Sequence, residues 1–159
     1  MLQLAHRVSI HRCFVPPSKV RGCAITIDDP HDLHHLRDVL RLHVGDPLVC
    51  FDGQGKEYAG TITALTQRRA VVQIEQSLTR PLQRVEVRLA QGLPKADRFD
   101  WVVQKATELG VAQVSPMVTR HTVVRLSTDQ ARRRLERWQR IATEAAKQCG
   151  RATVPIIES

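Results

Sequence analysis

The stretch VEVRLAQGLPKADRFDWVVQKATELGVAQVSPMV, residues 85–118, decides the fold. Val85–Ala90 is rich in β-branched and apolar residues and reads as a strand. Gln91–Ala96 reads as a loop, after which the apolar period changes. Phe99, Val102, Val103, Ala106 and Leu109 fall on one face of a helix that begins at Asp97 and stops at Gly110. Val111–Val118 reads as a second strand.

Downstream, Ser127 and Gln130 form a capping-box signature for a long helix. Its apolar stripe is Ala131, Leu135, Trp138, Ala142, Ala145 and Cys149, with Gly150 as the stop. Val154–Ile157 begins a third strand. Strand–helix–strand–helix–strand is the grammar of a parallel α/β sheet. A third strand that starts where the sequence ends leaves the sheet edge uncovered, so the rest of this domain is expected beyond Ser159.

Upstream the grammar is different. His11–Val15, Cys23–Ile27, Pro47–Phe51, Glu57–Leu65 and Arg69–Gln76 read as short strands punctuated by turns. Asp29 as N-cap, Pro30 at the first helical position and the Leu33, Leu36, Leu40 spacing predict a short helix at about 30–40, with Gly45 as the stop. Many short strands and one small helix predict a compact β-barrel over residues 1–76. A connector at Ser77–Arg84 leads into the α/β part, residues 77–159. The fold class expected is thus α+β in two domains.

Charge divides the same way. The chain has 24 Lys and Arg against 16 Asp and Glu, a net +8. Residues 1–76 hold 9 against 8, or +1, and residues 77–159 hold 15 against 8, or +7. A surplus of that size points to a polyanionic partner, because neutralised phosphates release counterions. The cysteines Cys13, Cys23, Cys50 and Cys149 show no CxxC pair and read as packed, reduced thiols. No apolar run is long enough to span a membrane, and the first residues lack a signal-peptide core, so a cytoplasmic protein is expected. No GxGxxG, P-loop or nucleophile elbow is present.

Three features could carry function. Arg133, Arg137 and Arg140 share a face of the long helix, flanked by Arg132 and Arg134, and read equally as a phosphate-contacting face or a solvated one. His31, His34 and His35 have no nearby Cys or Glu to complete a site and read as packing or polar surface rather than metal; Arg37 and Arg41 beside them are candidates for backbone contacts. Lys95, Asp97 and Arg98 crowd a strand-to-helix junction, where α/β folds tend to bind ligands.

Four stretches taken together resemble a known family: HHLRDVLRLHVGD at 34–46, FDGQGKEYAGTI at 51–62, LPKADRFDWVVQKATELGVAQVSPMVT at 93–119 and ERWQRIATEAAKQCGRATVPII at 136–157. They are similar, in family order, to the bacterial 16S rRNA uridine-N3 methyltransferases of the knotted SPOUT class. The resemblance implies an N-terminal PUA-like β-barrel that grips rRNA, followed by a SPOUT domain that binds S-adenosyl-L-methionine in a knot and dimerises. It implies 16S rRNA in the small ribosomal subunit as partner, with no metal. Lys95, Arg98, Gln148 and Arg151 match the family's motifs as RNA-binding or site-framing residues, and no general base is identified. The sequence departs from the family at Arg120-His121-Thr122, where Glu-Arg-Ser is usual. The knot and cofactor pocket are expected C-terminal to Ser159, so residues 1–159 alone are expected to be inactive. The alternative is a non-catalytic RNA-binding module. A DNA-binding regulator is disfavoured, since no helix-turn-helix spacing is present.

Overall fold

The computed structural model describes residues 11–80, 85–95, 97–120, 122 and 127–158. Two units divide the chain: residues up to Asp52 with Glu57–Thr79, and Gly53–Lys56 with Arg80 onward.

The first unit carries β1 (Arg12–Phe14), β2 (Val20–Arg21), β3 (Ala24–Ile27), α1 (Pro30–His34), β4 (Pro47–Phe51), β5 (Lys56–Leu65) and β6 (Ala70–Thr79). These strands form one six-stranded sheet in the order β1-β4-β5-β6-β3-β2. β1 runs parallel to β4, whereas β4–β5 and β3–β6 are antiparallel. The expected closed barrel is not what forms: among the described residues the sheet is open, with β1 and β2 at its edges. Those edge strands are three and two residues long, too short to close a cylinder. The core is completed instead by Leu33, Leu36 and Leu42, buried with Cys13, Ile25, Leu48, Ile62 and Val72. Gly60 on β5 is required by this sheet, since a Cβ there would lie 2.1 Å from the Gln73 carbonyl oxygen on β6.

The helix expected at 30–40 starts as read, with the Asp29 carboxylate accepting from the N–H groups of His31 and Asp32. From His35 to Val39 it widens into a π-helical turn, and Leu40 N–H donates to the His35 carbonyl at 2.9 Å. The stop is not Gly45 but Arg41, held at φ 53°, a left-handed conformation unusual for a residue with a side chain. Gly45 lies beyond it, its N–H donating to Ile62.

In the second unit, β7 (Arg88–Gly92), β8 (Gln113–Met117) and β9 (Ile156–Ile157) form a parallel sheet in that order. The connections are α2 (Arg98–Leu109) and α3 (Thr128–Cys149), which pack on each other. The first strand begins three residues later than read. The capping box at Ser127 and Gln130 is present, and Gly110 and Gly150 end their helices in the left-handed region. Phe99, Val103 and Ala106 of α2 meet Trp138 and Ala142 of α3 over Val114 in the core. Two expected stripe residues face water: Leu109 is 82 % exposed, its place taken by Thr107, whose hydroxyl donates to the Val103 carbonyl. Cys149 is exposed too, as is Cys23, so only Cys13 and Cys50 are packed thiols. The turn Gly53–Lys56 belongs to this unit, with Gly55 N–H on Ala152 and Val154 N–H on Gly53.

Candidate functional site

The C-terminal edge of the parallel sheet is where the chain places its first group of candidates. Leu93 N–H donates to the Met117 carbonyl at 3.0 Å, which fixes the loop leaving β7. Lys95 follows on that loop, and Arg98 is the first residue of α2; both are exposed. Asp97 occupies the N-cap position but makes no side-chain cap bond. It turns instead toward α3, with a carboxylate oxygen 4.0 Å from the Arg137 guanidinium.

Asp100, one turn further along α2, makes the stronger contact. Its two oxygens accept from the Arg137 guanidinium and from the Trp138 indole N–H, the latter at 3.0 Å. The Trp138 ring packs on Phe99 with centroids 4.4 Å apart. Two carboxylates at the positive end of α2 are favourable in their own right, and the α3 arginine neutralises them.

That contact separates the helix arginines into two kinds. Arg137 is held by α2. Arg133 and Arg140 are exposed, and among the described residues neither has a carboxylate within ion-pairing distance; the same holds for Arg132. A guanidinium without a protein counter-charge gains the full benefit of a phosphate, whereas one already paired exchanges one anion for another.

Gln148 and Arg151 lie elsewhere, at the opposite edge of the sheet, because α3 runs back past the strands. The Arg151 guanidinium packs against Gly110, where an added Cβ would sit 2.4 Å from its Nη1. Together with Gln54, Glu86 and Thr153, Arg151 lines a cleft of about 530 Å³ at the N-terminal edge of the strands. The nine candidate residues are therefore not one cluster.

In the first unit, Arg37 donates from Nε and Nη2 to both oxygens of Asp38, at 2.8 and 2.7 Å. This fork holds the Asp38 carboxyl down at about 2, with His34 at 2.7 Å adding to it. Arg41 is exposed on its left-handed turn. Of the histidines, His34 pairs with Asp38, while His31 lies near Asp29 and Asp32, an exposed group whose Asp29 carboxylate already serves as the helix cap.

Sequence reasoning passed over Asp100 and Trp101, and the group around Thr119 was too weak a signal to name a mechanism. Asp100 reads as one more first-turn acid, and nothing local points it at a helix 37 residues away. Thr119 N–H and hydroxyl both bond the Thr122 hydroxyl, closing the turn after β8. His121, in the segment where the sequence departs from the family pattern, lies outside the described residues.

Residues 27–75 match the family described as RNA methyltransferase PUA domain, and residues 81–159 match RNA methyltransferase domain. Ribosomal RNA small subunit methyltransferase E of Bacillus subtilis is 34% identical over 127 residues, covering 79% of this chain and 50% of that protein. Its namesake from Synechocystis is 34% identical over 150 residues, covering 94% and 48%. The chain thus spans about half the length of the curated relatives it matches. Among solved structures, the Neisseria gonorrhoeae methyltransferase E bound to S-adenosyl methionine superposes with a TM-score of 0.81 at 33% identity, covering 94% of this chain and 61% of that one. A putative methyltransferase from Legionella pneumophila in complex with the same cofactor gives 0.84 at 28% identity, covering 94% and 62%.

Proposed function

Since residues 27–75 and 81–159 of this chain belong to the PUA and methyltransferase domains of RNA methyltransferases, we propose that the whole protein methylates ribosomal RNA. The reaction is transfer of the methyl group of S-adenosyl-L-methionine to N3 of a uridine in 16S rRNA of the small subunit. The observation that supports this reading is that Lys95 and Arg98 lie exposed at the β7–α2 junction, where α/β sheets receive ligands, with Arg133 and Arg140 exposed on α3. Arg37, Arg41, Gln148 and Arg151 are assigned to outlying RNA contacts. Arg137, on the same face of α3, is held by Asp100.

N3 of uridine carries a proton and is no nucleophile until that proton leaves. The protein must therefore hold the base where it can be deprotonated in line with the donor methyl; orientation supplies roughly 7–11 kcal/mol in well-aligned reactions. The base must also be unstacked before it is reached.

The described residues do not by themselves fit the methyl donor. A Cβ on Gly92 would meet Thr119 at 3.6 Å, an ordinary contact, so no backbone cradle there depends on glycine. Among the described residues of the second unit, no buried polar side-chain atom waits for a partner.

Labelled methyl transfer from S-adenosylmethionine to under-modified small ribosomal subunits, with the product mapped by mass spectrometry, tests the proposal. Label at N3 of a uridine is expected with the whole protein. No label, together with salt-sensitive rRNA binding, would instead establish the non-catalytic RNA-binding module.

A further inference from the structure

The chain has two tryptophans with opposite fates. Trp138 is 3 % exposed and fully engaged by Phe99 and Asp100, whereas Trp101 is 64 % exposed. Helix geometry explains the second: two residues are about 200° of rotation, so Trp101 lies opposite Phe99, which is buried with Val103 and Ala106. Its ring therefore contributes nothing to the core while presenting a large apolar face to water.

The neighbours of that ring are polar. Arg98 lies one turn earlier on α2, and among the described residues it has no ion-pair partner. Lys95 precedes it on the loop. Lys105 and Gln104, one turn later, both bind Glu108. An aromatic face beside a guanidinium suits an unpaired nucleotide well, with the ring stacking on the base and the cation meeting its phosphate.

We propose that Trp101 and Arg98 form a stacking platform for an unpaired RNA base at the C-terminal edge of the sheet. This rests on RNA being the substrate and adds which part of it is gripped: a single-stranded or unstacked nucleotide rather than a duplex.

Tryptophan emission reads the platform directly, because Trp138 is shielded and Trp101 is not. Titrating the protein with a single-stranded RNA dodecamer of mixed sequence should quench the exposed component, and the same strand annealed to its complement should quench it far less. Trp101→Ala should weaken single-strand binding roughly 5- to 150-fold with an unchanged salt slope, and Trp101→Phe should restore most of it. Near-ultraviolet dichroism of Trp138 verifies that both variants are folded. Unchanged Trp101 emission at saturation, wild-type affinity of Trp101→Ala, or emission that shifts with protein concentration in the absence of RNA would each overturn the platform. If the whole protein transfers methyl while these signals are absent, the platform fails and the proposed function stands. Quenching without methyl transfer is the converse.

Discussion

Replacing Arg133 and Arg140 together by Gln, and Arg137 alone by Gln, sets two kinds of arginine on one helix face against each other. Arg133 and Arg140 have no carboxylate partner among the described residues, so each phosphate they meet releases counterions in full. Arg137 already spends its charge on Asp100, with Asp97 at 4.0 Å. Each lost phosphate contact lowers the slope of log affinity against log salt by about 0.9 for a duplex or about 0.7 for a single strand. The double variant should therefore lose about 1.4–1.8 from the slope. Between 50 and 200 mM salt the fold-loss of wild-type affinity should then shrink by about 7- to 12-fold. Arg137→Gln should leave the slope nearly unchanged. It should instead lower stability by about 1 kcal/mol, since Asp100 keeps only the Trp138 indole and the arginine is half exposed. Fluorescence anisotropy with labelled 16S rRNA fragments across salt gives the slopes, and urea titration gives the stabilities. An equal drop in slope for Arg137→Gln, or no drop for the double variant, would refute the division.

Other consequences are local. Gly60→Ala should cost more than about 3 kcal/mol and shift the urea midpoint accordingly, because its Cβ would meet backbone rather than a side chain that can move. Gly22→Ala, at φ 57° with open space around it, should cost only about 1 kcal/mol. The Asp38 carboxyl is lowered to about 2 from 3.8, chiefly by the Arg37 fork. Its contribution is present above the unfolded value and is lost as pH falls from about 4 through 2, so the melting-temperature gap between wild type and Asp38→Asn should close over that range. Of the four thiols, the exposed Cys23 and Cys149 should react quickly with a disulfide reagent. Cys13 and Cys50 should react only on unfolding, the Cys50 thiol being pushed up to about 12 chiefly by burial.

The second half of the chain was legible because its signals are local. A helix start is written in Ser127 and Gln130 within one turn, and a helix stop is written in Gly110 or Gly150 as a single residue free to take positive φ. The α2 face was read from its period, and the one error, Leu109, sits in the last turn, where Ala106 and Thr107 are the buried residues. The first half was legible in its strands but not in its closure. Whether six strands meet edge to edge depends on lengths of two or three residues and on what else can cover the core. Leu33, Leu36 and Leu42 settled that from a segment whose sequence shows only a short helix.

The candidate site divides along the same line. Sequence alone determined that basic residues crowd the β7–α2 junction and one face of α3, since charge and spacing are properties of the chain. Only the tertiary structure decided which of those charges are spent: Arg137 on Asp100 across 37 positions, Arg37 on its own neighbour Asp38. It also separated Lys95 and Arg98 from Gln148 and Arg151, and turned Trp138 inward and Trp101 out. An ion pair needs two groups within about 4 Å, and a ring is buried only if another element lies over it. Both are facts about packing, and the packing brings together residues that the sequence keeps far apart.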